Sequence, residues 1–350
     1  MGSDVSFASF NLYNLQLAGE PTRRNAPRFS GEEYGRRLAW CAGIIREMQA
    51  DVIAFQELWS ADALRNLFER AGLSDEYELH FIGDDWYDIA VAAAVRRPWR
   101  ATATHNHKNF PDHFRLLKRR HGQAGADEDR EDDDIDVKID IFSRTVLQLT
   151  IEHEGGETPP VEIFCAHLKS KLPTRLDDPE AGIDELRPHR EALGSALSTI
   201  RRTAEAAALR MIMTEVMKGT DRAAALLGDL NDDGHSNTLA ILTEQPRFRR
   251  FRRSRIGSSS DNGLYTAGFL QALSDFRDVA YTHIHDDVRS QLDHVLVSEQ
   301  FYDHSRNRRW SFRDQRIWND HIDADEPNGP ERQTTDHGIV RARFLWDPAD

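Results

Sequence analysis

Six short apolar runs of this chain end on residues able to hold a metal ion or move a proton. VSFASF leads to Asn11, DVIAF to Gln56 and Glu57, VEIFCA to His167, and AAALL to Gly228, Asp229 and Asn231. Toward the C-terminus, Ser290, Gln291, Leu292 and Asp293 precede HVLVS, and Thr334, Thr335, Asp336 and His337 precede GIVRARF. The sharpest segment is GDLND at 228–232. Its glycine allows the backbone to turn as it leaves a buried strand, which aims Asp229 and Asn231 into a cleft. The same Asp-x-Asn pattern also makes an ordinary Asx turn, so this segment alone does not decide the chemistry.

Other groups invite a second reading. His283 and His285, two apart and followed by Asp286 and Asp287, share one face of a strand and suit a transition metal, or else are polar surface. Lys169 and Lys171 follow His167 and either contact phosphate or are solvated. Arg247, Arg249, Arg250, Arg252, Arg253 and Arg255, interleaved with Phe248 and Phe251, could track a nucleic-acid backbone with aromatic stacking, or form a solvated face. The acidic run Asp127 to Asp134 reads as a solvated loop with at most loose cation binding.

Apolar stretches of this length bounded by turn residues predict buried strands, whose ends converge on one rim of a sheet. Between them, Leu38, Cys41, Ala42, Ile45 and Met48 recur at helical spacing within 31–50, and Leu64, Leu67 and Phe68 mark a second, shorter helix. The longest helix is expected from about His189 to Lys218, with Leu193, Leu197, Ile200, Ala204, Ala208, Met211 and Val216 forming a stripe that packs on the body of the protein. Gly155 and Gly156 separate two strand patterns and predict a hairpin. From about 105 to 136 the chain is polar and charged, and reads as an excursion from the core. With no internal repeat and no Pro- or Gly-rich linker, one α+β domain over 1–350 is the expectation.

Composition sets outer bounds. The chain has 350 residues, 39% of them hydrophobic, enough for a sizeable core in one large domain. Its two cysteines, Cys41 and Cys165, sit inside a helical and a strand pattern and read as core thiols, not a disulfide framework. No apolar run approaches the ~20 residues of a membrane span, and the first strand begins too early for a signal peptide, so a cytoplasmic protein without membrane contact or obligate protein partner is expected. A net charge of −14 argues against a protein that coats nucleic acid, since such affinity comes from neutralised phosphates. An enzyme that only visits its substrate is less constrained.

The order of the motifs carries the functional reading. An Asn-bearing first strand, the pair Gln56 and Glu57, HLKSK at 167–171, GDLND, LDHV at 292–295 and DHG at 336–338 follow one another as in a known superfamily. The chain resembles the endonuclease/exonuclease/phosphatase superfamily, the fold of deoxyribonuclease I and of exonuclease III type repair enzymes, in its bacterial HLKSK-containing form. The resemblance runs from Asn11 to about Phe344 and implies a four-layer sandwich: two mostly antiparallel sheets flanked by helices.

It also implies roles. Glu57 stands where the family keeps its principal magnesium ligand, with Asn11 and Asp336 on the metal side of the pocket, and manganese a possible substitute. Asp229 would orient or deprotonate the attacking water and Asn231 hold a nonbridging oxygen. His337 would be oriented by Asp293, while His167 would protonate the leaving oxygen, with Asp88 as its acidic partner. Lys169, Arg249, Arg250, Arg252 and Arg253 would be substrate contacts. Leu226 and Leu227 before GDLND, and Gln291 and Leu292 before Asp293, disfavour the inositol phosphatase branch, and the absence of a long apolar loop weakens the sphingomyelinase branch. The expected activity is a magnesium-dependent phosphodiesterase, foremost a nuclease with DNA as substrate. A phosphatase for a small or lipid phosphate comes second, and an inactive interaction module third.

Overall fold

The computed structural model describes residues 3–22, 27–86, 89–118, 135–177, 182–244, 263–275, 281–285, 288–322 and 333–349. In chain order the strands and helices are β1 (Val5–Leu15), α1 (Gly31–Met48), β2 (Val52–Leu58), α2 (Ala61–Ala71), β3 (Tyr77–Phe81), β4 (Ala90–Arg96), β5 (Trp99–Asn109), β6 (Leu116–Lys118) and β7 (Ile135–Val137). They continue with β8 (Ile141–His153), β9 (Val161–His167), α3 (Arg190–Met217), β10 (Ala223–Asp229), α4 (Asn237–Thr243), β11 (Tyr265–Thr266) and α5 (Ala267–Ser274). The last are β12 (His283–His285), β13 (Val288–Ser290), β14 (Asp293–Val297), β15 (Trp310–Trp318) and β16 (Ile339–Trp346).

Two six-stranded sheets carry the fold. Sheet 1 has the order β15-β16-β1-β2-β4-β3 and sheet 2 the order β11-β14-β10-β9-β8-β5. Each holds one parallel pair at its centre, β1 with β2 and β9 with β10, among antiparallel neighbours. Phe7, Val52, Ala54 and Phe344 of sheet 1 pack with Leu147, Leu149, Ile163, Cys165 and Leu227 of sheet 2 in one buried cluster between the layers. The outer face of sheet 1, with Phe10, Ile53 and Phe55, is covered by Leu38, Cys41 and Ile45 of α1 and Leu64, Leu67 and Phe68 of α2. On the outer face of sheet 2, Phe164, Ala166 and Leu226 meet Ala204, Ala208, Leu209 and Met213 of α3. This is the α+β sandwich of two sheets flanked by helices. Central strands covered on both faces need apolar residues at every position, which is why VSFASF, DVIAF and AAALL read as continuous runs.

Local sequence places the elements. Ser30 accepts from the Glu33 amide while the Glu33 carboxylate accepts from the Ser30 amide, a capping box that starts α1. The hairpin at Gly155 and Gly156 joins β8 to β9 in antiparallel register. Both cysteines are buried and unbridged, and burial pushes each thiol up to about 12.

Two sequence readings meet a different arrangement. Within 105–136, His105 to Asn109 complete β5 against β8, Phe110 and Phe114 are buried under α3, and 119–134, with the acidic run, lie outside the described residues. The apolar stripe of α3 holds only in its second half. Leu193, Leu197 and Ile200 are 38%, 44% and 43% exposed, while Gly194, Ser198, Arg202 and Glu205 face inward. The physical reason is what lies beneath: the first half of α3 covers the loop after β9, whose backbone needs polar partners. Glu205 accepts from the amides of Ser143 and Lys169 at 2.8 Å each, and Ser198 Oγ donates to the Leu172 carbonyl at 2.6 Å. Gly194 lets the loop come so close that a Cβ there would lie 2.3 Å from the Thr174 carbonyl oxygen.

Candidate active site

Strand register assembles half of the site. Asp229, the last residue of β10, is paired with His167 on parallel β9 and with Asp293 on antiparallel β14. Three residues from distant parts of the chain thus stand side by side at one end of sheet 2, all buried. The spacing depends on Gly228, where a Cβ would fall 1.9 Å from the Ala166 carbonyl oxygen, so no larger residue lets β10 run this close to β9. His167 Nε2 lies 3.5 Å from Asp229 Oδ2. The Asn231 amide donates to Asp229 Oδ1 at 2.9 Å, and its side chain donates to the Leu168 carbonyl at 3.0 Å, with Asn231 in the left-handed region at φ 54°.

Sheet 1 supplies the facing half. Asn11 of β1 donates from Nδ2 to Asp229 Oδ2 at 3.1 Å and accepts the Tyr13 amide at 2.9 Å. Glu57, at φ 58°, accepts the Asn14 amide at 3.0 Å. Trp59 Nε1 in turn donates to Asn14 Oδ1 at 3.0 Å. Tyr13 and Asn14 are also left-handed, at φ 47° and 56°. Such backbone is costly for residues with a side chain, and here it turns both strand ends toward the cleft. Asp336 and His337 precede β16. His337 Nδ1 lies 2.8 Å from Asp293 Oδ2 and its Nε2 lies 3.9 Å from Asp229 Oδ2, so the imidazole links the two carboxylates.

Burial dominates the electrostatics. It pushes the Asp229 carboxyl up to about 7; Asp293 and Glu57 add to the rise while His337 opposes it. Burial lifts Asp336 to about 6, again with help from Glu57. At His337 burial works against the charged form, but Asp293 and Asp229 outweigh it and hold its pKa well above the ordinary imidazole value. A carboxyl that titrates near neutrality beside an imidazole that keeps its proton is a matched base and acid.

The cleft also suits a cation. Asp229, Asp293 and His337 offer ligand atoms all within 4.8 Å of one another, as do His283, Asp336 and His337. Asp293 Oδ1 and Asp336 Oδ1 are buried and, among the described residues, have no hydrogen-bond partner. Buried carboxylate oxygens in that condition are costly unless an ion or donor completes them.

The other candidates fall elsewhere. Lys169 directs its ammonium at the carbonyls of Leu172 and Ser170, 3.3 and 3.5 Å away. Lys171 pairs with Asp232 at 3.2 Å and Asp233 at 3.7 Å. The arginine cluster with Arg249, Arg250, Arg252 and Arg253, together with Asp88, Asp286 and Asp287, lies outside the described residues. For His167, the acid that the geometry provides is Asp229 itself.

Several neighbours of the site escaped the motif reading. Thr282 Oγ1 accepts the amides of Leu292 and Asp293 at 2.9 and 3.1 Å, holding the entry of β14. Thr335 Oγ1 donates to the His337 carbonyl at 2.6 Å, and His321 Nε2 lies 2.9 Å from the same oxygen. A lone Thr carries no signal of such roles. His283 is different: its ring centroid lies 4.9 Å from that of His337, and burial, followed by the His337 charge, pushes its pKa down to about 4. The signal for it was spacing. His283 pairs with Ser290 across a hairpin that runs straight into Asp293, so its inward face meets the dyad.

Comparison with known proteins gives this geometry its context. The sequence profile described as the Endonuclease/Exonuclease/phosphatase family matches residues 8–337. No curated protein matches the chain. Among solved structures, an endonuclease/exonuclease/phosphatase from Bacteroides vulgatus superposes with a TM-score of 0.54 at 14% identity, over 99% of this chain and 100% of that one. The mannosyl-6-phosphatase of Bacteroides thetaiotaomicron gives 0.54 at 13% identity, over 98% of this chain and 100% of that one. The human Nocturnin catalytic domain with a bound sulfate anion gives 0.54 at 13%, over 99% of this chain and 96% of that one. At such identities the likeness speaks for the fold alone. Because the profile spans the cleft from Asn11 to His337, the chain belongs to the endonuclease/exonuclease/phosphatase family, hydrolases acting on phosphoester bonds.

Proposed function

We propose that this protein is a magnesium-dependent phosphodiesterase whose substrate is a polynucleotide, DNA foremost. The observation that carries the hydrolytic reading is the contact of Asp229 with two imidazoles, His167 at 3.5 Å and His337 at 3.9 Å. A diester needs a base for the attacking water, a positive group for the charge that gathers on phosphorus oxygens, and an acid for the departing alkoxide. Asp229 takes the first role, His337 with Asp293 behind it the second, and His167 the third. Glu57, Asn11 and Asp336 would hold the ion, to which the Asn11 carbonyl still offers a lone pair beside the Tyr13 amide. When bound, Mg2+ neutralises a phosphoryl oxygen and the leaving oxygen, and a hard cation that keeps several waters matches oxygen ligands of this kind.

Support for DNA comes from the resemblance and from the arginine cluster. A phosphatase acting on a small phosphate monoester is the second reading, favoured by the like fold of the mannosyl-6-phosphatase. One panel separates them. Purified protein with Mg2+ or Mn2+ is incubated with supercoiled plasmid, linear duplex, single-stranded DNA, RNA, bis(p-nitrophenyl) phosphate and phosphate monoesters. The proposal expects nicking or shortening of DNA and diester cleavage, all abolished by EDTA. Turnover of monoesters alone would move the assignment to the phosphatase, and full turnover in excess EDTA would reject the metal.

A further inference from the structure

We propose that His283, Asp336 and His337 form a binding site for one divalent transition-metal ion, on the histidine side of Asp336 and so sharing that carboxylate with the magnesium side of the cleft. This goes beyond the hydrolase reading and does not depend on which ester is cut. The three groups come from two segments: His283 opens β12, and Asp336 and His337 lie in the loop before β16. A backbone bridge between His283 and His337 locks the segments together, and the three ligand atoms lie within 4.8 Å of one another. An ion bound at about 2.1 Å from each would draw them to roughly 3.4 Å apart, a closure that small side-chain rotations supply.

The free valences point the same way. His337 has its Nδ1 on Asp293, which orients the ring and leaves Nε2 for a ligand. A carboxylate behind one imidazole nitrogen and a metal on the other is a recurrent arrangement in metal sites. Asp336 Oδ1 is buried without a hydrogen-bond partner among the described residues. The His283 ring lies 4.9 Å from that of His337, tilted by 47°, stacks 6.3 Å from His285, and makes no hydrogen bond among the described residues either. Two imidazoles and one carboxylate favour zinc, cobalt, manganese or iron over magnesium, whose preference is for oxygen ligands.

The probe is Co2+ titrated into the metal-free full-length protein, followed by its visible absorption and by isothermal titration in the presence of millimolar Mg2+. Wild type is expected to bind one Co2+ that Mg2+ does not displace, with the absorption of imidazole coordination. His283→Ala should weaken binding by about 10²-fold and change the spectrum, and His283→Gln, which keeps the bulk of the side chain, should do the same if the alanine variant misfolds. Glu57→Gln should leave the Co2+ signal in place. Equal Co2+ affinity in wild type and a folded His283 variant overturns the site. So does loss of the signal in Glu57→Gln, or displacement by Mg2+, either of which puts the ion on the magnesium side. Failure of the hydrolase assignment would show instead as absent turnover, with the Co2+ result unchanged.

Discussion

Asn11, Glu57 and Asp336 reach the cleft from sheet 1, whereas His167, Asp229 and Asp293 stand on three adjacent strands of sheet 2, and the two groups are positioned by different means. On sheet 2 the side chains are set by register: the pairs Asp229–His167 and Asp229–Asp293 follow from hydrogen-bonded ladders. On sheet 1 they depend on turns, with Tyr13, Asn14 and Glu57 all left-handed and Asp336 in a loop. Proton transfer tolerates little error in distance, and the groups assigned to it sit on the stiffer frame. A cation can draw its ligands in, so the metal side can be built from turns. Three contacts cross the divide, Asn11 to Asp229, His337 to Asp293 and His337 to Asp229.

If this division is real, changes on the two sheets should have different kinetic signatures. The largest effect is expected at Asp229 of sheet 2 and at His337, which faces it from the loop before β16. Asp229→Ala and His337→Ala should each lower kcat by about 10²-fold or more, and the double variant should lose far less than the product of the two. Steady-state rates at saturating Mg2+ measure this. Restoration of the Asp229→Ala rate by raising the metal concentration would erase the distinction.

Next is Glu57→Gln on sheet 1, where removal of a first ligand should shift the Mg2+ dependence of the rate by about 10²-fold, with much of kcat recovered at high metal. A loss that no Mg2+ concentration relieves would break the comparison from the other side.

The third prediction concerns acidity. Asp336 has its native pKa raised from 3.8 to about 6, so the folded protein holds this proton more tightly than the unfolded chain. Without metal, its contribution to stability is intact at and below pH ~4 and declines as pH rises through about 6. Asp336→Asn lacks that slope. In EDTA the variant should gain on wild type between these pH values, by about 3 kcal/mol in urea unfolding, and stay level above. A difference independent of pH would mean that the carboxyl is not raised in the fold. The smallest effect is expected outside the cleft: Leu197→Lys, on the exposed face of α3, should change stability by no more than about 0.5 kcal/mol.

Much of this frame is legible in the sequence because central strands covered on both faces leave long apolar runs, and a run that stops at a polar residue marks a strand end. The pairing of those ends is not local. Nothing near Asp229 says that His167 and Asp293 will be its neighbours, and the order of motifs across residues 8–337 implies only that they share one cleft. The helix α1 is readable from its capping box, whereas α3 misleads, since apolar spacing cannot tell whether strands or a polar loop lie underneath. His283 was underrated for a related reason: a pair of histidines two apart looks the same on a surface hairpin and on one folded over a dyad.

The pairing of β1 with β16 has a consequence for biosynthesis. Val5 faces Phe344 across the ladder, so β1 is made more than 300 residues before the strand that becomes its neighbour. Asp336 and His337 emerge just ahead of β16, after all the other cleft residues. A nascent chain therefore carries Asp229 for a stretch of about a hundred residues without the imidazole that joins it to Asp293. A chain cut short before residue 337 lacks the imidazole that faces both Asp229 and Asp293.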